Sequence, residues 1–189
     1  MRKGVAGRHE LIVAIAEVFR AHGYAGASLS LITEATGLGK GSLYNFFPGG
    51  KDEMATAVLA HIDRWFEDEV FSPLREAKDP QEGIDRMLAA TDAYFRSGRR
   101  VCLVGAFALD DARDRFAAEI RSYFGRWVTD LAGSLRRAGQ PETEARRLAE
   151  ECVAGIQGAL TLARAFDDPA TFSRAMTTIR ERLGVAGAR

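Results

Sequence analysis

The sequence predicts an all-α protein, an N-terminal three-helix head followed by a larger helical domain. Three observations predict it. Apolar residues recur at three- and four-residue intervals along most of the 189 residues, no useful length alternates apolar with polar as a half-buried strand does, and Gly or Pro clusters fall where helices have to stop. Hydrophobic residues make up 47% of the chain, ample for a packed core.

The elements follow in order. Leu11, Ile12, Ile15, Ala16 and Phe19 share a helical face opposite Glu10, Glu17 and Arg20, and Gly23 supplies a stop, which predicts a helix over 8–22. Ser28 caps a short helix over 29–36, with Leu29, Ile32 and Ala35 facing inward and Gly37 ending it. A third, over 40–46, begins after only Leu38 and Gly39, and Pro48-Gly49-Gly50 closes the unit. Asp52 and Glu53 suit the start of a long helix over 52–71, because acids are favoured at the positive end of the helix dipole. Pro73 and Asp79-Pro80 break the chain, and helices are expected over 81–97, 101–110, 112–138, 142–166 and 169–183. The domain division that follows is 1–51 for the head and 52–189 for the body.

Formal net charge is zero, but the charge is unevenly spread: residues 1–51 hold six Lys/Arg against three acids. The basic end is the head, as a nucleic-acid partner requires. Cys102 and Cys152 stand far apart with no paired histidines, so neither a zinc site nor a disulfide framework is written here, and no metal or cofactor is expected. The longest uncharged apolar stretches, 101–109 and 153–163, are about half of a bilayer span, which predicts a cytoplasmic protein with no membrane partner.

The informative segment is Ser28 to Lys51. Two short helices joined by a tight glycine turn can cross steeply, so that the second lies in a DNA major groove while the first braces it. Gly37 makes the turn, Leu38 plugs the space between the helices, and Leu43 and Phe47 point into the core. Lys40, Gly41, Ser42, Tyr44 and Asn45 are then presented outward. Lys40 suits a phosphate or a guanine, Gly41 lets the backbone approach the duplex, and Ser42, Tyr44 and Asn45 offer hydrogen bonds. Lys51 is placed to clamp the flanking backbone, and Arg2 with Lys3 forms a short arm. A solvated helical hairpin is the plain alternative for the segment, and a merely soluble terminus the alternative for the arm.

At Thr36-Gly37-Leu38-Gly39-Lys40-Gly41-Ser42-Leu43-Tyr44-Asn45-Phe46-Phe47 the chain resembles the TetR family of bacterial transcriptional regulators. The extra glycine in Phe47-Pro48-Gly49-Gly50-Lys51, with a cysteine near position 102, resembles the LmrA/YxaF-like branch. Gly39 departs from the usual Ser/Thr cap, Thr33 stands where Ala is common, and Leu31 is apolar where the family shows a polar face. The resemblance implies a repressor released from double-stranded operator DNA by a small molecule, with DNA contacts that include Ser28, Thr33 and Gly39. It also implies a C-terminal body that binds the effector and forms a homodimer through its last two helices.

The body's own residues agree with that expectation. Val153, Ile156, Ala159, Leu160 and Leu162 on one helix and Phe172, Met176, Ile179 and Leu183 on the next form apolar stripes to bury, the dimer interface being placed at Val153, Ile156, Ala159, Leu160, Phe172, Met176 and Ile179, with Ala154, Gly155 and Gly158 permitting close approach. Trp65, Phe66, Met87, Tyr94, Cys102, Phe107, Tyr123, Trp127 and Gln157 are candidates to line a pocket for a hydrophobic or aromatic effector, against the alternative that they are ordinary core. Cys102 reads as a buried small hydrophobe or, near Arg99 and Arg100, as a redox trigger. His61 reads as a surface residue, and Asp110, Asp111 and Asp114 as helix-end caps.

Two other classes compete. A helical hydrolase or isomerase needs a nucleophile with its base, a metal motif or a phosphate loop, and the sequence has none of them. A helical adaptor with a vestigial head is compatible with the zero net charge, and DNA binding separates it from a regulator.

Overall fold

The computed structural model describes residues 7–184, and every regular element in that span is helical. In chain order these are α1 (Arg8–Gly26), α2 (Leu29–Thr36), α3 (Lys40–Phe46), α4 (Gly50–Phe66), a π-helical turn (Glu67–Phe71), α5 (Ser72–Glu76), α6 (Pro80–Tyr94), α7 (Leu103–Ala108), a 3₁₀ turn (Asp111–Asp114), α8 (Ala117–Arg137), α9 (Glu142–Ala165) and α10 (Ala170–Arg182). The chain forms two compact units. Among the described residues, one holds 7–63 together with Leu103–Ile120, and the other holds Arg64–Cys102 together with 121–184. The first unit therefore takes in more than the 1–51 segment read as the head.

In the first unit, α1 buries Leu11, Ile12, Ile15, Ala16 and Phe19, the face its spacing predicts. Gly23 interrupts the helix at φ +68°, and one further turn then carries Tyr24 into the core. The Ser28 hydroxyl caps α2 by accepting from the Leu31 N–H at 3.3 Å. Gly37 ends α2 at φ +69°, a left-handed conformation that costs an L side chain energy, and its N–H donates to Thr33 O at 2.9 Å. Ile32 is buried and Leu29 half-buried, but Ala35 is exposed, not inward as expected. A two-turn helix buries a stripe scarcely one residue wide, and Ala35 lies beyond it.

Pro73 does not break the chain where the sequence places a stop. The helical path runs from Gly50 to Glu76 through the wide turn, in which the Ser72 N–H reaches back five residues to Glu67 O. Proline has no N–H for a carbonyl four residues earlier and its ring collides with it, and the wider register removes both problems. The long helix expected over 112–138 is likewise divided. Asp110 caps the 3₁₀ turn through Ala112 N at 2.8 Å, and α8 starts only at Ala117.

The second unit packs around Phe66, whose ring meets those of Trp65, Phe71, Tyr94, Phe95, Tyr123 and Trp127 at centroid separations of 4.8–6.3 Å. Glu67 holds the wide turn, accepting from Arg126 at 2.8 Å, from Ser72 at 3.2 Å and from Arg75. After α6 the chain reverses through Arg96, Ser97 and Gly98, all at positive φ. A Cβ on Gly98 would stand 2.5 Å from Phe172 Cβ, so only glycine fits there. Among the described residues no helix is long and apolar enough to cross a membrane, and no three potential ligands gather for a metal ion.

Candidate nucleic-acid interface

The segment from Ser28 to Lys51 folds as two short helices about a left-handed glycine. Leu43 and Phe47, both fully buried, pin α3 to the unit's core. Because successive residues of a helix point about 100° apart, burying Leu43 turns Lys40, Gly41, Ser42, Tyr44 and Asn45 outward, and all five are exposed. Tyr44 keeps 44% of its surface in contact with solvent, high for an aromatic ring that serves no core. Lys40 has no hydrogen bond or ion pair among the described residues.

The other sequence candidates fall differently. Ser28 and Thr33 use their hydroxyls inside α2, the first as its cap and the second donating to Ser30 O at 2.7 Å. Gly39 occupies the N-cap of α3 in an extended conformation with no side-chain cap, leaving that helix end open. Leu38 is only half-buried. Lys3, with Arg2, lies outside the described residues.

Lys51 is engaged within the protein. Its ammonium donates to Tyr24 O at 3.0 Å and sits 4.5 Å from the Tyr24 ring centroid. The same tyrosine donates its hydroxyl to Asp52, and Arg115 bridges the two, donating to Asp52 Oδ2 at 2.6 Å and to the Tyr24 hydroxyl at 3.1 Å. The Tyr24 hydrogen bond, followed by that from Arg115, holds the Asp52 carboxyl below its ordinary pKa; burial, followed by Asp52, pushes the Tyr24 phenol up. The end of α1 and the start of α4, the two elements that flank the α2–α3 hairpin, are thereby tied to each other and to Arg115. Phe107 and Phe116 extend this tie as rings 5.9 Å and 5.4 Å from Tyr24. Sequence reasoning missed Tyr24, Asp52 and Arg115 as a group because 63 residues separate Asp52 from Arg115.

Two family descriptions match this chain. Residues 11–58 match the bacterial regulatory proteins of the tetR family, and residues 80–178, more than half of the chain, match the C-terminal domain of LmrA/YxaF-like transcriptional regulators. The chain is a TetR-family transcriptional regulator of the LmrA/YxaF-like group. It is 25% identical to the HTH-type regulator LmrA and 27% identical to the HTH-type regulator YxaF, both of Bacillus subtilis, each over 82% of this chain and 85% and 83% of theirs. A TetR regulator from Legionella pneumophila has the same fold, with a TM-score of 0.80 over 96% of this chain and 99% of its own at 21% identity. So does a cysteine variant of the TetR-family regulator CifR, solved with a 26-base-pair operator duplex, with a TM-score of 0.72 over 94% and 98% of the two chains at 24% identity. This TetR-family regulator is thus a DNA-binding helix-turn-helix protein and not an enzyme.

Most of the regulator's pocket candidates lie together in the second unit. Trp65, Phe66, Tyr94, Tyr123 and Trp127 share the ring cluster around Phe66. Met87 is buried and accepts a weak hydrogen bond from Thr91. Phe107 does not join them; it packs on Phe19 and Tyr24 in the first unit. Phe71 and Phe95 belong to the cluster and escaped sequence reasoning, since nothing in their spacing sets them apart from other core rings. Both cysteines are buried, and burial pushes the Cys152 thiol up to about 12.

The seven residues expected at a dimer interface, Val153, Ile156, Ala159, Leu160, Phe172, Met176 and Ile179, are all buried within the single chain. They hold the chain's own helices together and leave no surface of their own for a second copy. The outer face of α9 instead presents Ala154, Gly158 and Leu162, the last 46% exposed and not buried as expected, and Phe166, just past the helix end, is 65% exposed.

Proposed function

We propose that the protein is a repressor that grips operator DNA as a homodimer and leaves it when a small molecule binds the second unit. The observation that carries this reading is α3 itself, anchored by Leu43 and Phe47 while Lys40, Gly41, Ser42, Tyr44 and Asn45 face outward. Tyr44 and Ser42 are suited to phosphates or a thymine methyl, Asn45 to a base edge, and Lys40, at the open end of α3, to a phosphate or guanine. Lys51 acts chiefly by fixing the end of α1, in keeping with its bond to Tyr24 O.

A second copy supplies the second recognition helix. Two such helices about 34–36 Å apart meet successive major-groove turns on one side of the duplex. The apolar line of Ala154, Gly158 and Leu162, four residues apart on α9, with Phe166 just past its end, supports pairing with the same face of a second chain. The effector pocket is assigned to the ring cluster around Phe66, with Met87 on the same helix as Tyr94 and Gln157 on α9. Release follows if the effector binds one spacing of the two heads better than another, since only differential affinity shifts such an equilibrium.

The test is electrophoretic binding to DNA from upstream of the protein's own gene, with unrelated DNA as competitor, over a salt series. A retarded complex that resists unrelated competitor, weakens steeply as salt rises and is lost in Tyr44→Ala with the fold intact supports the proposal. Equally weak binding to all DNA contradicts it.

A further inference from the structure

Two of the chain's three histidines meet within the first unit. His9 stands in the first turn of α1 and His61 toward the end of α4, far apart in sequence, and their ring centres lie 4.9 Å apart with the planes at 81°. His9 is exposed and His61 half-buried, so the contact shields little surface from water and adds little to the unit's core. Neither residue belongs to the outward face of α3 or to the group formed by Tyr24, Asp52 and Arg115.

The separation of the rings matches shared coordination of an ion. Imidazole nitrogen is a favoured ligand of zinc, nickel and copper. Two imidazoles bonded to one zinc ion at about 2.0–2.1 Å, with a near-tetrahedral angle between the bonds, have their ring centres about 5 Å apart. The cation beside His9 in sequence is directed elsewhere. Arg8 pairs with Glu53 at 3.6 Å and lies 5.0 Å from the centre of the Phe47 ring, and Glu53 stands about 12 Å along α4 from His61. No third potential ligand joins the two histidines among the described residues, so water completes the coordination. Competition from thiolate is slight, because both cysteines are buried and burial pushes the Cys152 thiol up to about 12.

We propose that His9 and His61 form a binding site for one divalent transition-metal ion of the zinc, nickel and copper class, with water on its remaining positions. The ion ties the first turn of α1 to α4, the two helices that frame the α2–α3 hairpin. Magnesium, which takes oxygen ligands, is not held there. A ligand that binds the folded state alone stabilises it, so the ion raises the melting temperature.

The experiment uses the full-length protein without a polyhistidine tag. Zinc chloride, nickel chloride and magnesium chloride are titrated in turn by calorimetry, and the imidazole nitrogens are followed by NMR. One zinc or nickel ion per chain is expected to bind and to raise the melting temperature, with resonance shifts at His9 and His61 but not at exposed His22, and magnesium to do neither. His9→Ala and, separately, His61→Gln should each weaken zinc binding at least about tenfold, while His22→Ala leaves it unchanged. Melting of the unliganded variants checks that they fold, and His9→Ala, which alters an exposed side chain, decides the matter if His61→Gln does not. No binding of zinc or nickel, binding that survives His9→Ala, or shifts at His22 in place of the pair overturns the inference and leaves the two rings as a packing contact. None of these outcomes bears on DNA binding, which the salt series above tests by itself.

Discussion

Lys40→Ala isolates the electrostatic part of DNA binding. Lys40 is exposed at the first position of α3 and bonds to nothing among the described residues, and alanine favours a helix at least as well as lysine does, so the head should fold unchanged. Each phosphate neutralised by a cation releases bound counterions and contributes about 0.9 to the slope of log affinity against log salt. A dimer carries two copies, so the variant's slope should be shallower by about 1.8. Over a fourfold rise in salt, wild-type affinity then falls about 12-fold further than that of the variant. Fluorescence anisotropy of a labelled operator at four or more salt concentrations, with the melting temperature as a control for folding, gives both slopes. An unchanged slope with a folded variant refutes the placement of Lys40 against the DNA backbone.

Further outcomes follow from the same structure. Leu43→Ala removes a fully buried side chain that anchors α3 and should cost about 2–5 kcal/mol in chemical denaturation, with operator binding lost in parallel. Gly37→Ala places a Cβ in open space but at φ +69°, so its cost of about 1–2 kcal/mol is backbone strain alone, and Gly37→Asn should cost less than Gly37→Ala. Lys51→Met keeps the aliphatic stem and removes the bond to Tyr24 O, and should lower stability by about 1 kcal/mol without any DNA present; an unchanged denaturation midpoint would return Lys51 to a purely DNA-contacting role. The depressed pKa of Asp52 gives stability that is complete above about pH 4 and is lost as pH falls through the folded-state value. Thermal melts between pH 5 and 3 should therefore fall more steeply for the wild type than for Asp52→Asn, and parallel curves would contradict the sign.

The parts of the molecule legible in the sequence are those decided by local chemistry. Ser28 and Gly37 are fixed by the needs of a helix start and a left-handed helix end, and Leu43 and Phe47 by the period of a helix with one buried face. What escaped depends on the fold as a whole. Helical spacing shows that Val153 or Ile179 is buried, but not whether a neighbouring helix of the same chain or a second copy buries it. The route of Leu103–Ile120 into the first unit, which brings Phe107 and Arg115 to Tyr24, is a long-range event with no local signature. Pro73 misled because its cost in an α-helix is well defined, while the five-residue turn that absorbs it has no sequence signal of its own.

The most direct measurement is methylation interference at guanine N7 across the operator, combined with the stoichiometry of the complex. If α3 enters the major groove from each of two paired chains, interference should appear in two major grooves on one side of the duplex, about one helical turn apart, with an even number of chains per operator. A single patch of interference, interference spread evenly along the DNA, or one chain bound alone would contradict that arrangement.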